Sequence, residues 1–436
     1  MLSKLDLRDV HTGYLGLIPR PKITHELPVE AVRAIIAQVR AEGDAALLEL
    51  TAKFDGATLT NIEVPRSEID DAYRQLPKEL MDALLLAADS IEGYHRLELE
   101  GAKGFEANGI KVTHRPIPMH RAGCYVPGGL ARYPSTVLMT AIPAKVAGVS
   151  EVYLVTPPRS DGKVDSATLA AAKIAGVDRV FAVGGAQAVA GLAYGTGTVP
   201  KVDVIVGPGN VFVSVAKREV AGEVAMPSSF AGPSEVVVVA DRSVPSSWAA
   251  VDIVVQAEHG PDGLAWLITW DEEYAAEVDQ EVDRIVSESP RGVQIRSTLD
   301  EGGYVALVRD RQQALEIANE IAPEHLELLY SDAAEDLDLV VNAGAVFYGP
   351  YSPASFGDYV AGPSHVLPTF GSARFSSALR VHDFLKFVHF VTVTPAGLSE
   401  AGWAVERIAE TEGLYAHGQS VAMRMGSAAD SYRGGR

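Results

Sequence analysis

The chain has 436 residues, a single cysteine and a formal net charge of −20 at pH 7. A chain this long exceeds the size at which one hydrophobic core keeps growing, so we expect at least two packed domains. The acidic balance argues against nucleic acid or an anionic membrane surface as the main partner. One thiol rules out an internal disulfide, and residues 1–20 resemble neither a signal peptide nor a membrane anchor. We therefore expect a cytoplasmic protein that acts on small molecules.

The apolar pattern predicts helices first and then a regular alternation of strands and helices. Apolar residues at helical spacing predict helices within 28–54 and 77–99, and residues 109–115 alternate like a strand. The series that follows is strand 152–155, helix 167–175, strand 179–183, helix 186–194, strand 202–206, helix 211–220, strand 236–239, helix 246–258 and strand 264–269. Strands and helices that alternate at this length predict parallel sheets.

Three glycine-rich turns accompany the first strands of this series, at 127–129, 184–187 and 207–210. None of them matches the G-x-G-x-x-G fingerprint, so each alone is equally consistent with a tight turn that simply needs glycine. Backbone N–H groups at a helix N-terminus favour anions, and glycine lets a pyrophosphate approach closely. Three such turns at one edge of a parallel sheet therefore favour a cofactor site there.

Side chains suited to a catalytic metal lie in the C-terminal half of the chain. Gln256 and His259 are three residues apart near a predicted helix end, so both can face one ion, while Asp358 and His417 follow later. A histidine at a helix end is more often a cap or a packed imidazole, so each candidate is weak by itself. Imidazole and carboxylate ligands without cysteine favour catalysis over a structural site. The dipeptide Glu324-His325 in the same half predicts an acid/base pair.

Long motifs spread in order over roughly residues 25–420 carry a family resemblance. They are GCYVPGG (123–129), YPSTVLM (133–139), VGGAQA (183–188), VGPGN (206–210), AGPSE (231–235), QAEHGPD (256–262), APEHL (322–326), GDY (357–359) and HVLPT (365–369). Together they resemble the motifs of the histidinol dehydrogenase family, and shared motifs of this length are very specific.

The resemblance implies a homodimeric enzyme that uses NAD and one Zn²⁺ per subunit. Such an enzyme oxidises L-histidinol to L-histidine through L-histidinaldehyde, the final steps of histidine biosynthesis. The implied metal ligands are Gln256, His259, Asp358 and His417. The implied acid/base residues are Glu324 and His325, and the implied NAD contacts are Tyr125, Gln187 and Asn210. The implied substrate contacts are Ser234, Gln256, His259, His325, Asp358, Glu412 and His417, with Ser135 and His365 as neighbours.

The resemblance also implies an α/β fold of two incomplete Rossmann-like parallel-sheet domains, with small helical N- and C-terminal segments, in a domain-exchanged homodimer. The substrate and metal domain would comprise residues 25–105 and 232–378, and the NAD-binding domain residues 118–231. The terminal segments 1–24 and 379–436 would pack on the partner subunit. His417 would then serve the site of that partner.

Three positions depart from residues that are common in the family. Ala354 stands where many members have glutamate, Ser364 where they have asparagine and Ser228 where they have aspartate. These changes touch the surroundings of the substrate pocket and leave open a paralogue that oxidises another small alcohol, such as an amino alcohol or a sulfonated diol.

Two other classes of enzyme also remain open. A metallohydrolase would use the same ligands to activate water without NAD. An aldehyde dehydrogenase would use Cys124 as its nucleophile, which requires a lowered thiol pKa. The apolar stretch around Cys124, without a nearby histidine, favours a packed and inert thiol.

Overall fold

The computed structural model describes residues 2–19, 27–128, 132–227, 234–258, 260 and 263–426. Its strands are β1 (Ser3–Asp6), β2 (Lys103–Ala107), β3 (Ile110–Pro118), β4 (Arg121–Tyr125), β5 (Glu151–Thr156), β6 (Arg179–Ala182), β7 (Val204–Val206), β8 (Glu235–Ala240), β9 (Leu264–Thr269), β10 (Gly303–Leu307), β11 (His325–Leu329), β12 (Ala345–Tyr348) and β13 (Leu385–Val393). Its helices are α1 (Val29–Glu42), α2 (Asp44–Asp55), α3 (Arg66–Gln75), α4 (Lys78–Leu97), α5 (Pro134–Val146), α6 (Ser166–Ile174), α7 (Gly185–Tyr194), α8 (Val211–Glu219), α9 (Ser246–Ala257), α10 (Glu272–Glu288), α11 (Gly292–Gly302), α12 (Arg311–Ile321), α13 (Ala354–Tyr359), α14 (Pro395–Thr411) and α15 (Tyr415–Met425). None of these helices is long and apolar enough to cross a membrane.

The chain divides into two compact units. The larger comprises Met1–Glu98 and Met119–Phe384, and the smaller comprises Leu99–Pro118 and Leu385–Arg436. Both parallel sheets belong to the larger unit, and β1 pairs with β10 of the same chain. The expected exchange of terminal segments concerns a second subunit and stays a prediction.

The first sheet has four parallel strands in the order β6-β5-β4-β7, which confirms the predicted alternation. Strand β4 was not predicted, because its sequence RAGCY lacks the β-branched residues that mark a strand. Small residues are needed there: a Cβ on Gly123 would lie 2.7 Å from a methyl group of Leu192. Helices α1 and α2 complete the core on one face, with Val32 and Leu47 packed among the residues of α7.

The second sheet has six parallel strands in the order β1-β10-β9-β8-β11-β12. Strands β8 and β9 match the predicted ones and are buried along their whole length. Their side chains alternate between two cores: Val238 and Leu267 pack on one face, Val237 and Trp266 on the other. Continuous apolar strands of this kind are typical of a parallel sheet covered by helices on both faces.

The smaller unit contains an antiparallel sheet in the order β13-β3-β2. Asn108 and Gly109 connect β2 to β3, and both have positive φ angles, 52° and 67°. A two-residue Asn-Gly loop with two positive φ angles is the turn that a β-hairpin favours, so the sequence contained a signal for this hairpin. Helices α14 and α15 complete the unit.

Candidate functional site

A cavity of about 840 Å³ lies at the carboxyl edge of the four-stranded sheet. The loops that follow β4, β5, β6 and β7 all contribute to its lining. Tyr125, Gln187 and Asn210, the three predicted NAD contacts, line this same cavity. Gly128 and Gly185 from the predicted glycine turns also border it, whereas Gly129 lies outside the described residues. The structure therefore brings the three predicted positions together.

The side chains of Tyr125 and Gln187 sit at the start of α7. The Tyr125 hydroxyl accepts a hydrogen bond of 3.0 Å from the backbone N–H of Gly185, and burial raises the pKa of Tyr125 to about 12. Gln187 is 1% exposed, and its Nε2 has no hydrogen-bond partner among the residues that the structure describes. A buried amide without a partner is costly, so this group favours a ligand in the cavity.

Asn210 performs a structural task at the same edge. Its Oδ1 accepts a hydrogen bond of 3.1 Å from the backbone N–H of Val213 and so caps the N-terminus of α8. The NH₂ group of the side chain is not used by this cap. Asn210 can therefore cap the helix and still present a donor to the cavity.

The glycines of the predicted turns are required by packing inside the protein. A Cβ on either Gly128 or Gly184 would lie 2.6 Å from a ring carbon of Pro157. A Cβ on Gly207, which has a φ of 102°, would lie 2.1 Å from the carbonyl oxygen of Tyr125. These glycines are therefore explained without a cofactor, whereas the cavity and the buried amide of Gln187 are not.

The predicted acid/base residues lie at the start of β11, at the amino edge of the six-stranded sheet. Glu324 is 7% exposed, and its Oε2 accepts a hydrogen bond of 3.1 Å from the backbone N–H of Glu235. Burial raises the pKa of Glu324 to about 8, although the Glu235 N–H and the Ser234 side chain bond to the carboxylate and oppose the rise. Ser234, a predicted substrate contact, therefore lies beside the predicted base.

His325 lies between two carboxyl groups. Its Nδ1 is 3.7 Å from Glu324 Oε2, and its Nε2 is 3.9 Å from Asp358 Oδ1. The imidazole stacks on Phe347 of β12, with 6.1 Å between the ring centroids. The predicted acid/base pair and one predicted metal ligand are thus neighbours. Ligands of open α/β sheets usually bind at the carboxyl edge, so strand order alone does not reveal this location.

Sequence reasoning missed a buried pair of carboxyl groups next to this site. Glu327 of β11 is hydrogen-bonded to Asp252 of α9, and burial raises the pKa of both groups, of Glu327 well above its usual range. Glu327 Oε1 also accepts a hydrogen bond of 3.0 Å from the N–H of Ala354 at the start of α13. Two-residue spacing from His325 places Glu327 on the same face of β11. That spacing was the signal available in the sequence.

The predicted metal ligands are only partly visible together. Gln256 is 5% exposed on α9, one turn after Asp252, and its Nε2 has no hydrogen-bond partner within the described part of the chain. His259 lies outside the described residues. Glu412 and His417 are exposed residues of the smaller unit. In the described ranges, no group of three or more His, Cys, Asp or Glu side chains is placed to hold a metal ion.

The donors that the structure does describe fit a divalent ion chemically. Rotation of the buried Gln256 amide would present its oxygen where the nitrogen now lacks a partner, and Asp358 adds a carboxylate. Amide, carboxylate and imidazole donors suit Zn²⁺ and related ions. The residues present are therefore compatible with the predicted metal.

His365 connects helix α5 to helix α13. One ring nitrogen lies 3.0 Å from Thr136 Oγ1 on α5, and the other lies 2.9 Å from the backbone oxygen of Asp358. Ser364 donates a hydrogen bond of 3.0 Å to the carbonyl oxygen of Met139, also on α5. Of the positions that differ from the residues common in the family, Ser364 is therefore held by a hydrogen bond to α5. Ser228 lies outside the described residues.

Cys124 is fully buried in β4. Burial raises the pKa of its thiol to about 12. A nucleophilic cysteine needs a lowered pKa and access to substrate, and Cys124 has neither. The structure therefore supports the packed interpretation and opposes a cysteine-dependent aldehyde dehydrogenase.

Known proteins resemble this chain over nearly its full length. Residues 18–425 match the family model for histidinol dehydrogenase. The histidinol dehydrogenase of a Synechococcus species is 48% identical over 400 residues, which cover 91% of this chain and 92% of that protein. The one from Dehalococcoides mccartyi is 46% identical and covers 97% of each. The crystal structure of histidinol dehydrogenase from Elizabethkingia anophelis superposes with a TM-score of 0.93 at 34% identity, covering 98% of this chain and 99% of that one.

Proposed function

This chain belongs to the histidinol dehydrogenase family, and we propose that it oxidises L-histidinol to L-histidine through L-histidinaldehyde, with NAD as hydride acceptor and one Zn²⁺ per subunit. Family membership makes the chain a dehydrogenase of histidine biosynthesis. The observation that carries the finer proposal is the buried pair of Glu324 and His325 beside Asp358. Because the two groups are neighbours, one substrate carbon could reach both.

The cavity at the carboxyl edge of the four-stranded sheet supports NAD as the cofactor. Its volume of about 840 Å³ lies within the range of small-molecule and cofactor sites. Helix α7 begins at its wall without a side-chain cap, so backbone N–H groups there favour an anion such as a pyrophosphate. The unpartnered amide of Gln187 supplies a further donor.

The metal site would comprise Gln256, His259 and Asp358 of one subunit and His417 from a second copy of the chain. A bound Zn²⁺ would supply a positive charge that holds the imidazole and amine of the substrate in one orientation. Gln256 needs no change of backbone to present its amide oxygen. We include His259 and His417 in the proposal on the family resemblance.

His325 would act as the base of the first oxidation. As a neutral imidazole it would take the hydroxyl proton while hydride leaves the same carbon. Its Nδ1 lies 3.7 Å from Glu324, so the carboxyl group can stabilise the imidazolium that forms. His325 would release this proton before the second hydride transfer.

Glu324 would act as the base of the second oxidation. An aldehyde must add water before a second hydride can leave, and a carboxylate can deprotonate that water. The raised pKa of Glu324, about 8, makes it a stronger base than an ordinary glutamate and brings its titration near working pH. The hydrogen bond from the Glu235 N–H holds one carboxylate oxygen in place.

A homodimer would account for the exposed apolar side chains of the smaller unit. Its described residues include large apolar side chains that are well exposed, among them Val391 at 61%, Trp403 at 63% and Ile408 at 60%. Large apolar side chains exposed in this way favour a contact with another protein chain. We propose that a second copy covers it and that His417 and Glu412 act in the site of that copy.

A substrate panel tests the proposed function. Purified protein with Zn²⁺ and NAD should release two NADH per L-histidinol and should prefer it over other amino alcohols and small diols by about 100-fold or more in kcat/KM. A higher kcat/KM for another alcohol would replace the proposal with a paralogue. No NADH from any alcohol would favour the metallohydrolase.

A further inference from the structure

Asp55, the last residue of α2, lines the cavity together with Tyr125 and Gln187. Its Oδ2 is buried and has no hydrogen-bond partner among the residues that the structure describes. The carboxyl group is close enough to Tyr125 for its charge to help raise the pKa of that phenol. Asp55 therefore contributes a carboxyl group to the cavity lining, and one oxygen of this group is buried without a partner in the described part of the chain.

The surroundings of Asp55 make this acceptor costly to keep. Burial raises the pKa of the Asp55 carboxyl to about 6, with no cation to offset it. The two arginines that line the cavity already have acidic partners: Arg132 Nε lies 3.0 Å from Asp165, and Arg159 Nε donates to Asp161 at 3.4 Å. A buried acceptor needs a donor. A ligand with O–H groups would supply such a donor at this position of the lining.

The order of the strands indicates which donor is missing. The order β6-β5-β4-β7 corresponds to the arrangement 3-2-1-4 of dinucleotide-binding sheets, in which β5 is the second strand. In those sheets an acidic residue near the end of the second strand binds the adenosine ribose. Strand β5 ends at Thr156 and continues into two prolines, so it supplies no such acid. Asp55 offers a carboxylate to the same cavity from α2.

An exposed aromatic ring lies next to Asp55. Phe54 is 54% exposed and also lines the cavity. Lys53 places its ammonium 5.3 Å from the centroid of that ring and is not part of the lining. An exposed ring suits the adenine, whereas the nicotinamide must reach the buried acid/base pair. The ribose attached to the adenine would then lie beside Asp55.

We propose that Asp55 accepts hydrogen bonds from the adenosine ribose hydroxyls of the bound dinucleotide and thereby selects NAD over NADP. This inference depends on the proposed dinucleotide site. In NADP a phosphate replaces the 2′-hydroxyl donor of this ribose, so an anion would lie beside the Asp55 carboxylate. The arginines that could attract this phosphate are already paired with acidic residues. The ribose diol offers two O–H donors that the carboxylate of Asp55 can accept.

The test compares Asp55→Asn with Glu49→Gln. Both variants remove one negative charge from α2, but Glu49 is exposed and lies outside the cavity lining. In Asp55→Asn the ratio of kcat/KM for NAD to kcat/KM for NADP should fall by about 10–100-fold, the effect expected for a hydrogen bond to a charged group. Glu49→Gln should leave the ratio unchanged. Thermal melting establishes that both variants are folded.

Binding probes identify the ribose and separate the two proposals. Titration calorimetry without substrate should show that Asp55→Asn lowers the affinity for AMP and raises the affinity for adenosine 2′,5′-bisphosphate relative to AMP. The affinity for nicotinamide mononucleotide should stay the same. If Asp55→Asn lowers only the affinity for nicotinamide mononucleotide, the role given to Asp55 is wrong. It is also wrong if the ratio of kcat/KM for NAD to kcat/KM for NADP stays constant. If the unaltered protein binds neither NAD nor AMP, the dinucleotide site itself is wrong.

Discussion

Replacement of Glu324 by glutamine should separate the two oxidation steps. The carboxyl group is buried, and its Oε2 accepts the Glu235 N–H at 3.1 Å. The amide oxygen of glutamine can accept the same bond, so Glu324→Gln should keep the local structure and lose only the base. We expect the first step to continue, because the hydroxyl proton is taken by His325. His325→Asn should instead slow both steps.

The size of the effect follows from the chemistry of the lost base. Removal of a general base typically costs about 10²–10⁴ in rate, which is about 3–5 kcal/mol of barrier. A pKa of about 8 leaves roughly one tenth of Glu324 ionised at pH 7. The ionised form is the active one, so histidinaldehyde oxidation should rise with pH through the pKa of Glu324. A cation bound at Asp358 favours the ionised form, so in the metal-loaded enzyme this rise should be centred below pH 8. In Glu324→Gln the rise should disappear.

Single-turnover measurements of NADH yield decide the outcome. Enzyme in excess over L-histidinol should give one NADH per substrate in Glu324→Gln and two in the unaltered protein. With L-histidinaldehyde as substrate, the variant should give almost none. Equal impairment of both half-reactions, or an unchanged pH profile, would refute this division of labour between Glu324 and His325.

Three further predictions concern the metal, the dimer and the thiol. His259→Asn should weaken Zn²⁺ binding by at least about 10–100-fold, measured as metal content after dialysis, and should abolish turnover; a variant with normal metal and rate would show that the ligand is misassigned. Truncation before Glu412 should abolish activity and the dimer together, and sedimentation would detect a fully active monomer that contradicts this. Cys124→Ala should keep kcat within about twofold, because burial raises the thiol pKa to about 12 and a protonated thiol is not a nucleophile. Loss of activity in a folded Cys124→Ala would restore the cysteine mechanism.

The sequence alone predicted five of the ten described strands of the two parallel sheets, β5 to β9, and several of the helices between them. Strands such as β8 and β9 consist of unbroken apolar residues because they are covered on both faces, and such runs are visible without coordinates. The Asn108-Gly109 pair was a local signal for the β2–β3 hairpin, but only the strand at 109–115 was predicted from the sequence. Strand β4 escaped prediction because close packing requires small residues in it. The shared motifs supplied the family and the proposed roles of the site residues.

Only the tertiary structure decided which residues are neighbours and in what environment. Glu324 and His325 are adjacent in the sequence, but Asp358 belongs to a later element, and its distance of 3.9 Å from His325 depends on how α13 packs against β11. Burial, which sets the pKa of Glu324 and of Cys124, is a property of packing and not of local sequence. The same holds for Asp55, an ordinary aspartate at a helix end in the sequence. It becomes a binding candidate because α2 packs against α7 and places its carboxyl group in the cavity.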